Sequence, residues 1–65
     1  MSEVMGRRYV VRKKSSAWFP RDFVVLTEEA TGFMTVQNDV ETYTVTRARF
    51  DAEFDKGTFA EAAPA

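Results

Sequence analysis

The fold is decided by residues 33–46, which read Phe33-Met34-Thr35-Val36-Gln37-Asn38-Asp39-Val40-Glu41-Thr42-Tyr43-Thr44-Val45-Thr46. Two runs in this stretch alternate apolar and polar residues, which is typical of strands with one buried face. Asn38-Asp39 lies between the runs and predicts a tight turn, because both residues tolerate left-handed backbone angles. In the second run we expect Tyr43 and Val45 to face the core and the threonines to face solvent.

Two further strands are predicted upstream of this hairpin. Arg7 to Lys14 is rich in β-branched and aromatic residues, and its alternation places Tyr9 and Val11 on the core face. The apolar run Phe23 to Thr27 predicts a second strand. The polar residues 28–32 after it end in glycine and suit a hairpin loop.

The period changes from two to about four after Thr46, which indicates a short helix. Thr46 can act as the helix N-cap, and Gly57 is a suitable stop signal. Phe50 and Phe54 are four residues apart, so they share one helix face and are expected to dock on the strands.

Together these elements predict a mainly β fold: a small half-open antiparallel β-barrel or curled meander of four to five strands with one short C-terminal helix. We expect a disordered start over 1–6, a single domain over 7–57 and a disordered, Ala-rich tail over 58–65. The predicted core consists of Tyr9, Val11, Phe23, Val25, Met34, Val36, Tyr43, Val45, Phe50 and Phe54.

The segment from Gly32 to Val45, with Phe50 and Phe54 after it, resembles small phage and prophage accessory proteins. The shared features are a strand, a polar turn, a strand with Tyr-x-Val and a short helix with spaced aromatics. The resemblance covers the C-terminal half of the chain. It implies a Src-homology-like β-barrel and a phage accessory role, and it carries over no catalytic residue.

Composition argues against an enzyme. The chain has 65 residues, no cysteine and no histidine, so the commonest general base and the commonest metal ligands are missing. Glycine-rich phosphate loops are absent from the sequence, and Ser15-Ser16 has no histidine to activate it. We expect no catalytic residues, no cofactor and no metal. The sequence contains neither a membrane-spanning apolar run nor a secretory signal pattern, so the expected location is the cytoplasm, of the host if the protein is phage-encoded.

Charge is distributed unevenly along the chain. Residues 1–21 hold six basic residues and one acidic residue, a net +5, whereas residues 22–65 hold three basic and nine acidic residues, a net −6. Such asymmetry is typical of an interaction surface. The alternative is that the basic first strand pairs with acidic neighbours in the sheet. The predicted binding surface is Arg8, Arg12, Lys13, Lys14, Trp18 and Arg21.

Trp18-Phe19-Pro20 is the least regular stretch, and its aromatics either close the core or anchor a partner. A split is also consistent, with Phe19 inside and Trp18 partly exposed. The favoured function is a non-enzymatic protein-binding module that docks on a host protein and modulates or inhibits it, with an acidic surface of that protein as one candidate contact. The alternative is a nucleic-acid-binding barrel that uses the basic first strand and adjacent aromatics. No membrane partner is expected, and a homodimer stays open.

Overall fold

The structure is a computed structural model and describes residues 4–13 and 17–62. Within these residues the elements are β1 (Arg8–Val11), β2 (Phe23–Glu28), β3 (Phe33–Gln37), β4 (Thr42–Thr46), α1 (Arg47–Asp55) and β5 (Phe59–Glu61). The strands form one antiparallel sheet in the order β4-β3-β2-β1-β5, which is not closed into a barrel. The predicted mainly β fold with one short helix is confirmed.

The β3–β4 hairpin has the expected register. Val36 pairs with Tyr43 and Met34 with Val45, so these side chains share the core face. Val45 is buried and Tyr43 is half-buried, whereas Thr42 and Thr44 are exposed. The turn is built by the Asn38 side chain, whose Oδ1 accepts from the amides of Val40 and Glu41, each at 2.8 Å. Those two bonds hold Val40 and Glu41 in the turn, so β4 begins at Thr42 rather than at Val40.

A β-bulge in β2 changes which residues face the core. The ladder pairs Val25 with Val36 and then Thr27 with Thr35, so Leu26 is an extra residue without a partner in β3. The next pair is Glu28 with Met34, which turns Glu28 to the core side of the sheet. There the Glu28 carboxylate lies 3.0 Å from the guanidinium of Arg47 in α1.

Helix α1 begins and ends where the sequence predicts. The Thr46 side chain accepts from the amide of Arg49 at 3.1 Å, as an N-cap does. At the other end Gly57 has φ +80°, and the amides of Gly57 and Thr58 donate to the carbonyls of Phe54 and Glu53, each at 3.0 Å. This is a Schellman motif, which requires a left-handed residue and therefore favours glycine.

The buried face of α1 differs from the prediction. Phe50 and Glu53 are its buried residues, and Phe54 is 46% exposed at the edge of the contact. Phe54 still stacks on Phe50, with ring centroids 6.4 Å apart. The prediction that Phe54 belongs to the buried core is wrong, because the Glu53 side chain occupies the inward position and finds polar partners there.

The predicted disordered tail is wrong for residues 58–62. Phe59–Glu61 forms β5, which pairs with β1 through Tyr9↔Glu61, Val10↔Ala60 and Val11↔Phe59. Phe59 is fully buried. The single domain therefore extends beyond residue 57. Strand β5 pairs with the otherwise unpaired side of β1, and Phe59 packs in the core. Residues 63–65 lie outside the described part of the chain.

The start of the chain also departs from the prediction where it is described. Val4 is buried in the core, and its carbonyl accepts from the Arg7 amide at 3.1 Å. The Gly6 amide donates to the carbonyl of Val25 at 2.7 Å, which ties this turn to β2. Disorder over 1–6 is therefore wrong for residues 4–6, and residues 1–3 are not described.

Five aromatic rings form the centre of the core. Tyr9 contacts Phe23, Phe50 and Phe59 with centroid distances of 5.2 to 5.4 Å, mostly edge to face. Phe19 stacks on Phe23 at 4.8 Å and meets the edge of Phe59 at 4.8 Å. Such pairs contribute about 0.5–1.5 kcal/mol each beyond the area that they bury. This cluster joins β1, β2, α1, β5 and the loop before β2.

Candidate functional site

The structure divides the predicted binding surface between two places. Arg8 and Arg21 lie along a groove on the face of the sheet opposite α1. Trp18 contacts Arg49 of α1, whereas Lys13 and the Arg12 amide donate to the carbonyls of Lys56 and Thr58 just beyond the helix. Lys14 lies outside the described residues.

The groove around Arg8 is open and has balanced charge. It is lined by Val10 and Val24 of the sheet and by the loops that carry Pro20 and Asn38. Arg21 faces Asp39 across it, with the closest N–O distance 3.3 Å between exposed side chains. An exposed pair of this kind is worth little in stability, and it neutralises a cation that the sequence assigned to the binding surface.

Trp18 and Phe19 differ in burial, as expected if Phe19 lies inside and Trp18 is partly exposed. Phe19 is fully buried in the aromatic core, whereas Trp18 is 45% exposed. The Tyr43 hydroxyl donates to the Trp18 carbonyl at 3.1 Å, which fixes the backbone of the loop. The Arg49 guanidinium lies 4.8 Å from the centroid of the Trp18 ring and packs on one side of it.

Glu53 lies near the end of α1 and contacts two basic side chains and a threonine hydroxyl. It is buried, and it accepts a 2.7 Å hydrogen bond from the Thr58 hydroxyl. The guanidinium of Arg49 lies 3.6 Å away and the Lys56 amine 3.9 Å away. The Thr58 hydrogen bond, helped by Lys56 and Arg49, holds the pKa of Glu53 below its ordinary value despite burial.

Arg12 and Lys13, which precede the undescribed residues 14–16, complete this end of the molecule. The amides of Arg12 and Lys13 donate to the Thr58 carbonyl at 2.7 and 3.1 Å. The Lys13 amine donates to the Lys56 carbonyl at 2.8 Å, where a cation satisfies an open carbonyl at the helix C-terminus. A continuous chain of contacts therefore links Trp18, through Arg49 and Glu53, to Thr58 and its neighbours. We name as the Trp18 surface the set Arg12, Lys13, Trp18, Arg49 and Lys56.

Arg49 and Lys56 were missed by reasoning from the sequence. They are seven residues apart, and Glu53 lies between them at i+4 from Arg49. Residues spaced by four and seven lie on one side of a helix, so the spacing shows that the two cations share a helix flank. Only the docked helix shows that this flank adjoins Trp18.

The Trp18 surface combines an aromatic ring with hydrogen-bond donors. Its polar groups are guanidinium, ammonium and indole N–H donors, with the Glu53 carboxylate beneath them. Burial, with a smaller contribution from Glu41, raises the pKa of the nearby Tyr43 to about 12, so this phenol stays a neutral donor at physiological pH. Among residues 4–13 and 17–62, no group of three acidic side chains is arranged to hold a metal ion.

Comparison with protein-family models, with curated proteins and with solved structures finds no match to this chain. In the described residues, no helix has the length and apolar character needed to cross a membrane.

Proposed function

We propose that the protein is a small non-enzymatic binding module that docks on another protein through the Trp18 surface. The observation that carries the proposal is the half-exposed Trp18 ring against the Arg49 guanidinium of α1, on a backbone fixed by Tyr43. Tryptophan and arginine are the residues most enriched among those that dominate protein–protein binding energy.

Immobilisation of Trp18 favours binding. Its neighbour Phe19 is anchored in the core, its carbonyl is held by Tyr43, and Arg49 packs on its ring. A side chain that is ordered before binding loses less conformational entropy in the complex. Trp18 can therefore bury its exposed half against a partner at small entropic cost.

The charge of the Trp18 surface favours a partner with an acidic patch. Arg49 packs on the ring, and the other three basic residues lie along the contacts that run from Arg49 to residues 56–58. Among the described residues, Glu53 is the carboxylate that pairs with Arg49 and Lys56. Opposite charges on a partner would raise the rate of encounter and fix the orientation of docking.

The phage accessory role belongs to this proposal through the sequence resemblance alone. On that basis the partner is a host protein, and docking modulates or inhibits it. A 65-residue domain can act in this way by covering a surface that the host protein uses.

The protein has one tryptophan, so its intrinsic fluorescence reports directly on the proposed surface. A partner enriched from the natural host is purified and titrated against the wild type, Trp18→Ala and Phe33→Ala. Phe33 is a matched control, because it is a similarly exposed aromatic on the opposite face of the sheet. The proposal expects a fluorescence shift on binding, a loss of at least about 30-fold in affinity for Trp18→Ala and little change for Phe33→Ala. Equal affinity of Trp18→Ala and wild type would refute it.

A second pair of variants tests the charge. Arg12→Glu and Arg8→Glu change net charge equally, but Arg12 belongs to the Trp18 surface and Arg8 lies in the opposite groove. Only Arg12→Glu should slow association. Labelled single-stranded and double-stranded DNA is titrated in parallel at low and high salt. A steeply salt-dependent affinity that Trp18→Ala removes would replace the protein partner by nucleic acid.

A further inference from the structure

The hydrogen-bond pattern of the β3–β4 hairpin shows which backbone groups point out of the sheet. The Asn38 amide donates to the Glu41 carbonyl, and the Arg47 amide donates to the Gly32 carbonyl. Bonded and non-bonded pairs alternate along an antiparallel ladder. The backbone groups of Tyr43 and Val45 therefore hydrogen-bond to β3. The backbone N–H and C=O groups of Thr42, Thr44 and Thr46 point away from β3.

Strand β4 is the end strand of the sheet, so those outward groups lie at an edge. Thr42 and Thr44 are exposed, and among the described residues no backbone partner bonds to them on that side. From Thr42 to Thr46 the strand contains no charge, proline, glycine or bulge, which are the features that usually protect an edge from pairing.

The other edge of the sheet is different. Strand β5 has three residues and ends in Glu61, whose carboxylate pairs with the Arg7 guanidinium at 2.6 Å. A short edge with a charged end is a poor template for another strand. The two edges are thus unequal, and β4 is the one suited to strand addition.

We propose that β4 pairs antiparallel with β4 of a second copy of this chain, about a two-fold axis at Thr44. The strand reads Thr-Tyr-Thr-Val-Thr, so it is nearly symmetric about its middle residue. In this register all five residues are paired, with threonine opposite threonine on one face and Tyr43 opposite Val45 on the other. Cross-strand Thr–Thr and aromatic–β-branched pairs are both favourable.

Charge does not oppose a second copy as the occupant. From Thr42 to Thr46 the strand carries no charged residue, so no like charges meet within the paired strands. The Arg47 guanidinium beyond the strand already pairs with Glu28 and Asp51 in its own chain. Thr44 of each copy exchanges two backbone hydrogen bonds with its counterpart, and the two sheets become one continuous sheet.

The size of the contact predicts a weak dimer. One strand pair buries much less than the roughly 1,200–2,000 Å² of a standard stable interface. Self-association is therefore expected to depend on concentration and to be measurable towards millimolar protein. The inference does not rest on the proposed function, because its observations are the hydrogen-bond pattern and sequence of β4.

The first test is sedimentation equilibrium of the full chain and two variants. Thr44→Pro removes the outward N–H and leaves the β3 ladder intact, because that N–H does not bond to β3. Thr44→Val keeps the N–H and the β-branched shape, so it serves as the matched control. The wild type and Thr44→Val should dimerise, and Thr44→Pro should stay monomeric with unchanged circular dichroism.

The second test uses charge at the two-fold axis. Thr44→Lys alone and Thr44→Glu alone place like charges opposite each other and should be monomeric. An equimolar mixture should form a heterodimer, because Lys then faces Glu. This result is specific to a register centred on Thr44, and it does not require proline in the strand.

Three results would overturn the inference. The first is a wild type that stays monomeric up to millimolar concentration, even if Thr44→Pro weakens binding of another protein. The second is dimerisation of folded Thr44→Pro with the wild-type affinity. The third is a Lys and Glu mixture that associates no more than either variant alone.

Discussion

The Tyr43 hydroxyl donates a 3.1 Å hydrogen bond to the Trp18 carbonyl and so ties the edge strand β4 to the loop that exposes the tryptophan. The half-buried phenol is polar at its tip, and the carbonyl gives that tip a partner. One contact thus supports both the end of the sheet and the geometry of the Trp18 surface.

Tyr43→Phe removes this bond and leaves the ring in place. We expect a loss of about 1 kcal/mol in the free energy of unfolding, the usual net value of such a hydrogen bond. The Trp18 ring should also gain mobility, which lowers its fluorescence anisotropy. Tyr9→Phe is the control, since the Tyr9 ring packs among core aromatics and should leave Trp18 anisotropy unchanged. Equal anisotropy in Tyr43→Phe and wild type would show that the hydroxyl does not order the loop.

Alanine substitution should separate the roles of the adjacent aromatics Trp18 and Phe19. Phe19→Ala empties a fully buried site and should cost about 3–5 kcal/mol, a large part of the stability of so small a domain. Trp18→Ala removes a half-exposed ring and should cost less than about 1 kcal/mol. Urea denaturation of both variants measures the difference. A Trp18→Ala protein that is unfolded at neutral pH would assign Trp18 to the core and not to a binding surface.

The sequence predicts strands β1 to β4 and the limits of α1 because their signals are local. Alternation, Asn38, the Thr46 cap and Gly57 each act within a few residues of their own position. It does not predict β5, because Phe59 stands alone in an Ala-rich tail and pairs with β1 almost fifty residues earlier in the chain. The bulge at Leu26 leaves no composition signal either, although it turns Glu28 to the core face.

The candidate site is predicted only in part, because only some of its residues are close to one another in the chain. Trp18, Arg12 and Lys13 stand out as aromatic and basic residues near one another in the chain. Arg49 joins them only because α1 docks beside the Trp18 loop, and Arg21 leaves them because it pairs with Asp39. Both the addition of Arg49 and the loss of Arg21 depend on contacts between segments that are distant in the chain.

The contribution of β5 is tested by comparing Phe59→Ala with Phe54→Ala. Phe59 is fully buried, so its truncation should destabilise by about 3–5 kcal/mol. Phe54 is 46% exposed and packs at the rim of the same rings, so its truncation should cost less than half as much. Chemical denaturation gives both values. Equal costs would mean that the tail does not close the core.

Glu53 should make stability depend on acid pH. Its pKa in the folded protein is lowered, chiefly by the Thr58 hydroxyl, so the unfolded chain takes up the proton first. The stabilisation is present above the ordinary glutamate pKa and is lost as pH falls through the lower folded value. Glu53→Gln should be less stable at neutral pH and lose less stability in acid. Asp55→Asn, an exposed change of the same charge on α1, should keep the wild-type acid dependence, and urea midpoints across the acid range measure all three.

Arg47 should resist even conservative replacement. Its Nη1 lies 3.0 Å from both carboxylate oxygens of Glu28, and its Nε donates to Asp51 at 2.9 Å, so two nitrogens serve two carboxylates. The side chain is mostly buried, which strengthens these charge-assisted bonds. A lysine has one nitrogen and cannot reach both partners in this geometry.

We therefore expect Arg47→Lys to cost about 1–3 kcal/mol, measured by urea denaturation. Arg49→Lys is the control, because Arg49 is more exposed and its 3.6 Å ion pair with Glu53 needs only a point charge. That variant should change stability by less than about 0.5 kcal/mol. If both variants cost the same, the bulge that turns Glu28 toward α1 contributes nothing to docking of the helix. A selective loss for Arg47→Lys would instead make the Leu26 bulge, through Glu28, part of what fixes α1 on the sheet.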